Sequence, residues 1–228
     1  MSHVMSHVMS NVTPIQRPAF SRWVLAAGLL CAATAHADVE LTDLPGVVAT
    51  ANSCYLAPCN GPGLFVAANA IDNLAYIPNS GGHAWNAGDH GTAADPNWLR
   101  VDFGAVYAIS SAQLRFPDNA GAWQGYTNVY ELRGSVDGLA WQLLGSGTLI
   151  DLTGNTAALT DNYAWSGAAR PLARWLEYRV VGGTHWSGLD EINAMGSLAA
   201  VPEPGTWALW GAGLAATAAA CRRRLPAV

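Results

Sequence analysis

The sequence predicts an all-β fold, an antiparallel β-sandwich, and three observations carry that expectation. Apolar and polar residues alternate with period two in four segments between residues 98 and 181. Asp137-Gly138 stands as a hairpin signal between Leu132 and Trp141, because type I′ turns need positive φ at both central positions. No segment from 38 to 200 carries a long apolar stripe of 3.6-residue period. One face buried and one solvated implies two antiparallel sheets stacked face to face.

The strands follow in order. Leu99, Val101 and Phe103 share one face of the first, Arg100 and Asp102 occupy the other, and Gly104 is expected to end the run. Ala112, Leu114 and Phe116 alternate with Ser111, Gln113 and Arg115. Tyr130 and Leu132 alternate with Glu131 and Arg133, and Leu176, Tyr178 and Val180 with Glu177 and Arg179. Trp98 and Trp141, inside or beside strands, are read as core.

The ends read as targeting segments. Residues 1–37 hold Arg17 and Arg22, an apolar run from Trp23 to Ala35, and Ala35-His36-Ala37, the parts of a signal peptide cleaved after Ala37. The repeats of Ser-His-Val-Met at the start are expected to be a dispensable N-terminal extension or the mark of a misjudged start codon. At the other end, Val201-Pro202-Glu203-Pro204 precedes an apolar run from Thr206 to Ala220 and then Arg222-Arg223-Arg224. Two prolines make an extended spacer, and the arginines would stay on the cytoplasmic side of a short transmembrane helix. Residues 201–228 resemble the PEP-CTERM sorting signal of Gram-negative bacteria. That resemblance implies an exosortase as processing partner, only transient membrane residence, and release to the cell surface or exopolysaccharide matrix.

Between the ends lies one domain. The chain of 228 residues is 51% hydrophobic and 12% charged, with a net charge of −5 and no Lys. Residues 38–200 are more acidic still, with six Arg against fifteen Asp and Glu, or 6 − 15 = −9. Such a surface repels phosphate backbones, so nucleic acid is not an expected partner. Cys54 and Cys59 are the two cysteines outside the targeting segments. In an oxidising compartment they are expected to close a small disulfide loop; without a nearby His they make half a zinc site at best.

The order of motifs is similar to the discoidin family, the coagulation factor five/eight type C domains. The matching residues are Ala70-Ile71-Asp72-Asn73, Trp98-Leu99-Arg100-Val101-Asp102-Phe103-Gly104, Gly134-Ser135-Val136-Asp137-Gly138 with Trp141, and Leu189-Asp190-Glu191-Ile192. The resemblance implies a galactose-binding jelly roll over 69–200, preceded by a segment 38–68 that holds the cysteine pair. Two departures stand out: Asn73 replaces the usual Gly, and Trp85 lies thirteen positions after Asp72 rather than close to it.

Many members of that family hold a structural calcium. Carried over residue by residue, its ligands are the Asp72 and Glu191 carboxylates and the carbonyls of Asn69, Leu74, Ile77 and Asp190. Calcium takes six to eight oxygens, mixing both types. Ligand binding is expected in loops at one end of the sandwich. His83 and Trp85 lie in the long first loop, Asp118, Asn119, Trp123 and Tyr126 in a Gly-rich loop, and His185 with Trp186 before the last strand. Aromatic rings stack on sugars while His, Asn and Asp meet hydroxyls. Catalysis has no support: no metalloprotease helix signature, nucleophile elbow or P-loop occurs. The expected function is non-catalytic binding of extracellular polysaccharide; the rival is a structural or adhesion protein of the matrix that contacts other proteins.

Overall fold

The computed structural model describes residues 37–56, 58–59, 61–74, 83–117, 126–150, 160–199 and 210–217. The expected signal peptide up to His36, the sorting residues Val201 to Pro204 and Arg222 to Arg224, and four candidate site residues (Ile77, Asp118, Asn119, Trp123) lie outside them.

Among the described residues ten strands run antiparallel: β1 (Val39–Glu40), β2 (Val48–Ala51), β3 (Trp85–Asn86), β4 (Asn97–Arg115), β5 (Thr127–Ser135), β6 (Gln142–Ile150), β7 (Thr160–Ala164), β8 (Leu172–Thr184), β9 (Gly188–Leu189) and β10 (Glu191–Leu198). A 3-10 turn spans Ala67–Ile71 and another Gly167–Ala169. Among the described residues no helix is long and apolar enough to cross a membrane; residues 210–217 form a short exposed one.

The two long strands organise the sandwich. Over Asn97 to Asp102, β4 pairs with β8 on one side, while Leu99 to Asp102 pair with β2 on the other. From Tyr107 to Arg115 it pairs with β10, and its last five residues also pair with β7. One layer is therefore β2-β4-β8-β5-β6 and the other β1-β10-β4-β7, with β4 shared. Gly104 does not end the first strand as expected. It sits at φ 77°, a conformation that side chains disfavour, and the β4–β8 register shifts between Asp102 and Tyr107. The chain bends there and continues into the second layer, so two expected strands are one of 19 residues.

Alternation sets the core. Leu99 and Val101 (β4), Leu132 (β5), Leu176, Tyr178 and Val180 (β8) and Ile192 (β10) point between the layers and are buried with Trp85 and Leu114. The β5–β6 hairpin forms where the Asp-Gly pair signals it, but not as a two-residue type I′ turn. Only Gly138 has positive φ, at 73°. Six residues separate the strands, and the Asp137 carboxylate accepts the Leu139 and Ala140 amides at 2.8 and 2.9 Å. Those backbone donors hold the Asp137 carboxyl below its ordinary value.

Trp98 and Trp141 correct the core reading. Both are half-buried. Trp98 has the same parity as Arg100 and Asp102, so β4 turns it to the outer face, where the Arg100 guanidinium lies over its ring at 3.9 Å. The same guanidinium lies 4.7 Å from the Trp141 ring centre.

The core assignment has a direct check by urea unfolding. Leu132→Ala, at a fully buried position, should cost about 2–5 kcal/mol. Leu143→Ala, on edge strand β6 with 56% of its surface exposed, should stay within about 0.5 kcal/mol.

Candidate functional site

Loops at one end of the sandwich converge through a buried polar knot. The Ser187 hydroxyl accepts the Gly91 amide at 2.9 Å and the Asn97 side-chain amide at 3.1 Å. Asn97 also donates to the Asp89 carboxylate at 2.7 Å, and the Ser187 amide donates to the Asp89 carbonyl at 2.6 Å. This knot joins the segment after β3 to the one before β9 and fixes the residues between β8 and β9. His185 stands there at φ 65°, exposed, and Trp186 follows half-buried.

Trp186 is stacked on Tyr55, with ring centres 5.1 Å apart and planes 24° from parallel. Tyr55 is a site residue that the loop and strand patterns do not reveal. It sits in the Cys54–Cys59 loop, which the structure closes as a disulfide with a Cα separation of 5.2 Å. Its amide donates to the Asn86 carbonyl at 2.7 Å, so the disulfide loop is sewn to β3. The signal available was the cysteine pair itself: a short cross-linked loop presents the aromatic residue that it contains.

Two expected contacts move inward. Trp85 is fully buried, because its bridge with Leu189 turns it to the core. Its ring meets Tyr178 edge-on at 6.3 Å and its indole N–H donates to the Ser53 carbonyl at 2.9 Å. It cannot present a face to a ligand. Tyr126 is only 3% exposed; it backs the site, with its ring 4.9 Å from His185 and 6.0 Å from Trp186.

Of the residues expected to hold calcium, Asp72, Asp190 and Glu191 are brought near one another, while Ile77 lies outside the described residues. Asp72 follows the Ala67–Ile71 turn, and Asp190 and Glu191 stand at the start of β10, beside the end of β4. Asn73 adopts φ 58°, and its side-chain amide donates to Asp43. Several of these groups already have partners. The Asp72 carboxylate accepts the Leu74 amide at 2.8 Å and meets His83 Nδ1 at 2.9 Å, so His83 belongs to this cluster rather than to the aromatic one. Arg115, which parity places on β4 opposite Glu191, donates to the Leu74 carbonyl at 2.9 Å and pairs with the Asp190 carboxylate. The Asn69 side chain donates to the Ala84 carbonyl at 3.3 Å.

Glu191 stands apart. It is 1% exposed, and neither carboxylate oxygen accepts a hydrogen bond of good geometry. Arg115 reaches only to 3.7 Å. Burial pushes its carboxyl up to about 8; Arg115 and the Asn73 amide oppose the rise, and Asp72 and Asp190 add to it. Among the described residues no group of three His, Cys, Asp or Glu is placed to hold a metal, so a cation here would depend on two carboxylates and on backbone carbonyls.

With this geometry described, the chain can be set beside known proteins. It is a galactose-binding-like β-sandwich. The F5/8 type C domain family matches residues 48–172, more than half of the sequence, and the chain belongs to that family. The PEP-CTERM protein-sorting motif matches residues 200–224; it implies exosortase processing, export, and a surface or extracellular location. No curated protein matches. Among solved structures, a family 32 carbohydrate-binding module from C. perfringens NanJ, in complex with galactose, aligns with a TM-score of 0.51 at 17% identity. It covers 70% of this chain and 99% of its own. A fucolectin from striped bass (Morone saxatilis) serum aligns at 0.46 and 18% identity, over 66% of this chain and 46% of its own. A further Clostridium perfringens family 32 module, in complex with GalNAc-beta-1,3-galactose, aligns at 0.47 and 19%, over 65% and 94%. At these identities the likeness is one of fold.

Removing the cross-link tests the support beneath Tyr55. The double variant Cys54→Ser, Cys59→Ser should lose about 2 kcal/mol, as expected for so short a loop, and melt about 4–8 °C lower. An unchanged melting temperature would show that the loop is held by its backbone contacts alone.

Proposed function

We propose that this protein is a non-catalytic carbohydrate-binding protein of the cell surface or exopolysaccharide matrix, with its glycan site at the loop end around Trp186. The observation that carries the reading is the stack of Trp186 on Tyr55, backed by Tyr126 and flanked by the exposed His185. A half-exposed ring beside polar groups suits the apolar face and rim hydroxyls of a sugar. The galactose complex of the similar family 32 module supports the ligand class.

Topology supports presentation outward. His185 and Trp186 precede β10, whereas the sorting motif follows its far end. A strand of eight residues separates the two by about 24 Å, at about 3.4 Å per residue over seven steps. β1 pairs beside that far end, Val39 with Gly196, so both processed termini leave from one pole while the loop site sits at the other.

The reading includes a structural calcium. Asp72 and Glu191 would hold it through their carboxylates, together with carbonyls of Asn69, Leu74, Ile77 and Asp190. A buried carboxylate that Arg115 approaches only to 3.7 Å suits such an ion, because a cation supplies the charge that burial otherwise penalises. Entry would displace His83 from Asp72 and Arg115 from the Leu74 carbonyl.

A glycan array with the full chain tests the sugar site, run with calcium and with chelator. Neutral galactose-type glycans should be retained, and Trp186→Ala should weaken them about tenfold or more, the scale of a lost aromatic contact. Absence of binding to any glycan would favour the rival reading, a matrix protein that meets other proteins.

Calcium has a separate readout. At a hundredfold excess over its dissociation constant, it should add about 2.7 kcal/mol and raise the melting temperature by several degrees. Glu191→Gln should abolish the rise. A melting temperature indifferent to calcium after chelator treatment removes the ion from the proposal.

A further inference from the structure

The outer face of the β2-β4-β8-β5 layer carries a second set of aromatic and basic side chains, on strands and on the β5–β6 connection. Cross-strand pairing arranges them in rows. Thr50, Arg100, Glu177 and Arg133 form one; Val48, Asp102, Trp175 and Ser135 form the next; Trp98, Arg179 and Glu131 form a third. Trp98, Trp141 and Trp175 are all half-buried. A groove of about 410 Å³ opens over this face, lined by Val48, Thr50, Arg100, Asp102, Trp141 and Trp175 together with Gly138. That volume lies within the range of small-ligand sites, about 300–1,000 Å³.

Charge selects the occupant. Residues 38–200 hold six Arg, and four of them, Arg100, Arg133, Arg174 and Arg179, are on this face. On the described strands of this face three acids meet them, and each has a partner. Glu177 meets Arg100 at 2.6 Å, Glu131 meets Arg133 at 2.7 Å, and Asp102 accepts two bonds of 2.8 Å from Arg174. Arg179 has no ion pair among the described residues. On a segment of net charge −9, the described strand residues of this face carry four arginines against three acids. Arg100 uses only its Nε on Glu177, which leaves both terminal nitrogens for a ligand.

We infer that this groove binds a uronate-bearing polysaccharide. The Arg100 fork would take the sugar carboxylate in bidentate fashion, the Trp141 and Trp175 rings would meet pyranose faces, and the Thr50 hydroxyl would meet a ring hydroxyl. The site shares no residue with the loop end, so either can fail alone.

The test measures affinity of the full chain for polygalacturonate and for a neutral galactan, the two polymers being compared in the Trp186→Ala background, where the loop site does not contribute. Polygalacturonate should bind at least about tenfold more tightly at low salt and weaken as salt rises. Trp141→Ala, which stands outside the strands and leaves the Arg100–Glu177 pair in place, should cost about tenfold for polygalacturonate. Arg100→Lys, which keeps a cation opposite Glu177 but loses the fork, should cost a similar factor. Trp186→Ala should leave polygalacturonate affinity unchanged. Three outcomes overturn the inference: equal affinity for the two polymers, polygalacturonate binding unaffected by Trp141→Ala and Arg100→Lys in variants that retain the wild-type circular dichroism spectrum, or loss of polygalacturonate binding in Trp186→Ala.

Discussion

The β4–β8 ladder is the constraint from which the other features follow. A strand has two faces, and a register error of one residue would exchange them completely. Here the inward set, Leu99 and Val101 against Leu176 and Tyr178, is fully buried and holds the register. Once it is held, Trp98, Arg100 and Asp102 have no choice but to face outward. The same ladder aligns Arg100 with Glu177 and Asp102 with Trp175, so the charged and aromatic face is a consequence of how the core packs. Glu177 is 1% exposed although it lies on the outer face, because Arg100 covers it. A buried carboxylate needs such a partner, since an isolated one would bear the full cost of desolvation.

The two ends of the candidate region solve the problem of ordering loops by different means. At the aromatic end, a short disulfide loop and a knot of hydrogen bonds around Ser187, Asn97 and Asp89 position Tyr55 and Trp186. At the carboxylate end, Arg115 links β4 to Leu74 and Asp190 but stops short of Glu191. Burial there raises the Glu191 carboxyl by more than Arg115 lowers it.

Much of this was legible residue by residue. The alternation in 98–103 and 175–181 named the inward residues correctly, and the Asp-Gly pair marked a true hairpin. The parity argument also contained the position of Trp98, which shares a face with Arg100; ring size argued for burial and was outweighed by register. Trp85 went the other way. Its long loop gave no periodicity, and only a two-residue bridge to β9 turns it inward. Tyr55 and Arg115 were visible as residues but not as members of a site, because Tyr55 meets Trp186, and Arg115 meets Leu74 and Asp190, across more than forty positions of sequence.

Alternation, turn residues and terminal composition therefore suffice to establish an exported antiparallel sandwich with an acidic surface. These are local properties: side-chain period is read within one strand, and a targeting segment acts through its own composition. Pairing between distant segments is not local. The bend of β4 at Gly104, the stack of Trp186 on Tyr55, the orphaned carboxylate of Glu191 and the gathering of four arginines on one face arise only when strands far apart in the chain lie side by side. Which side chains meet is set by register between strands, and no single segment carries that information.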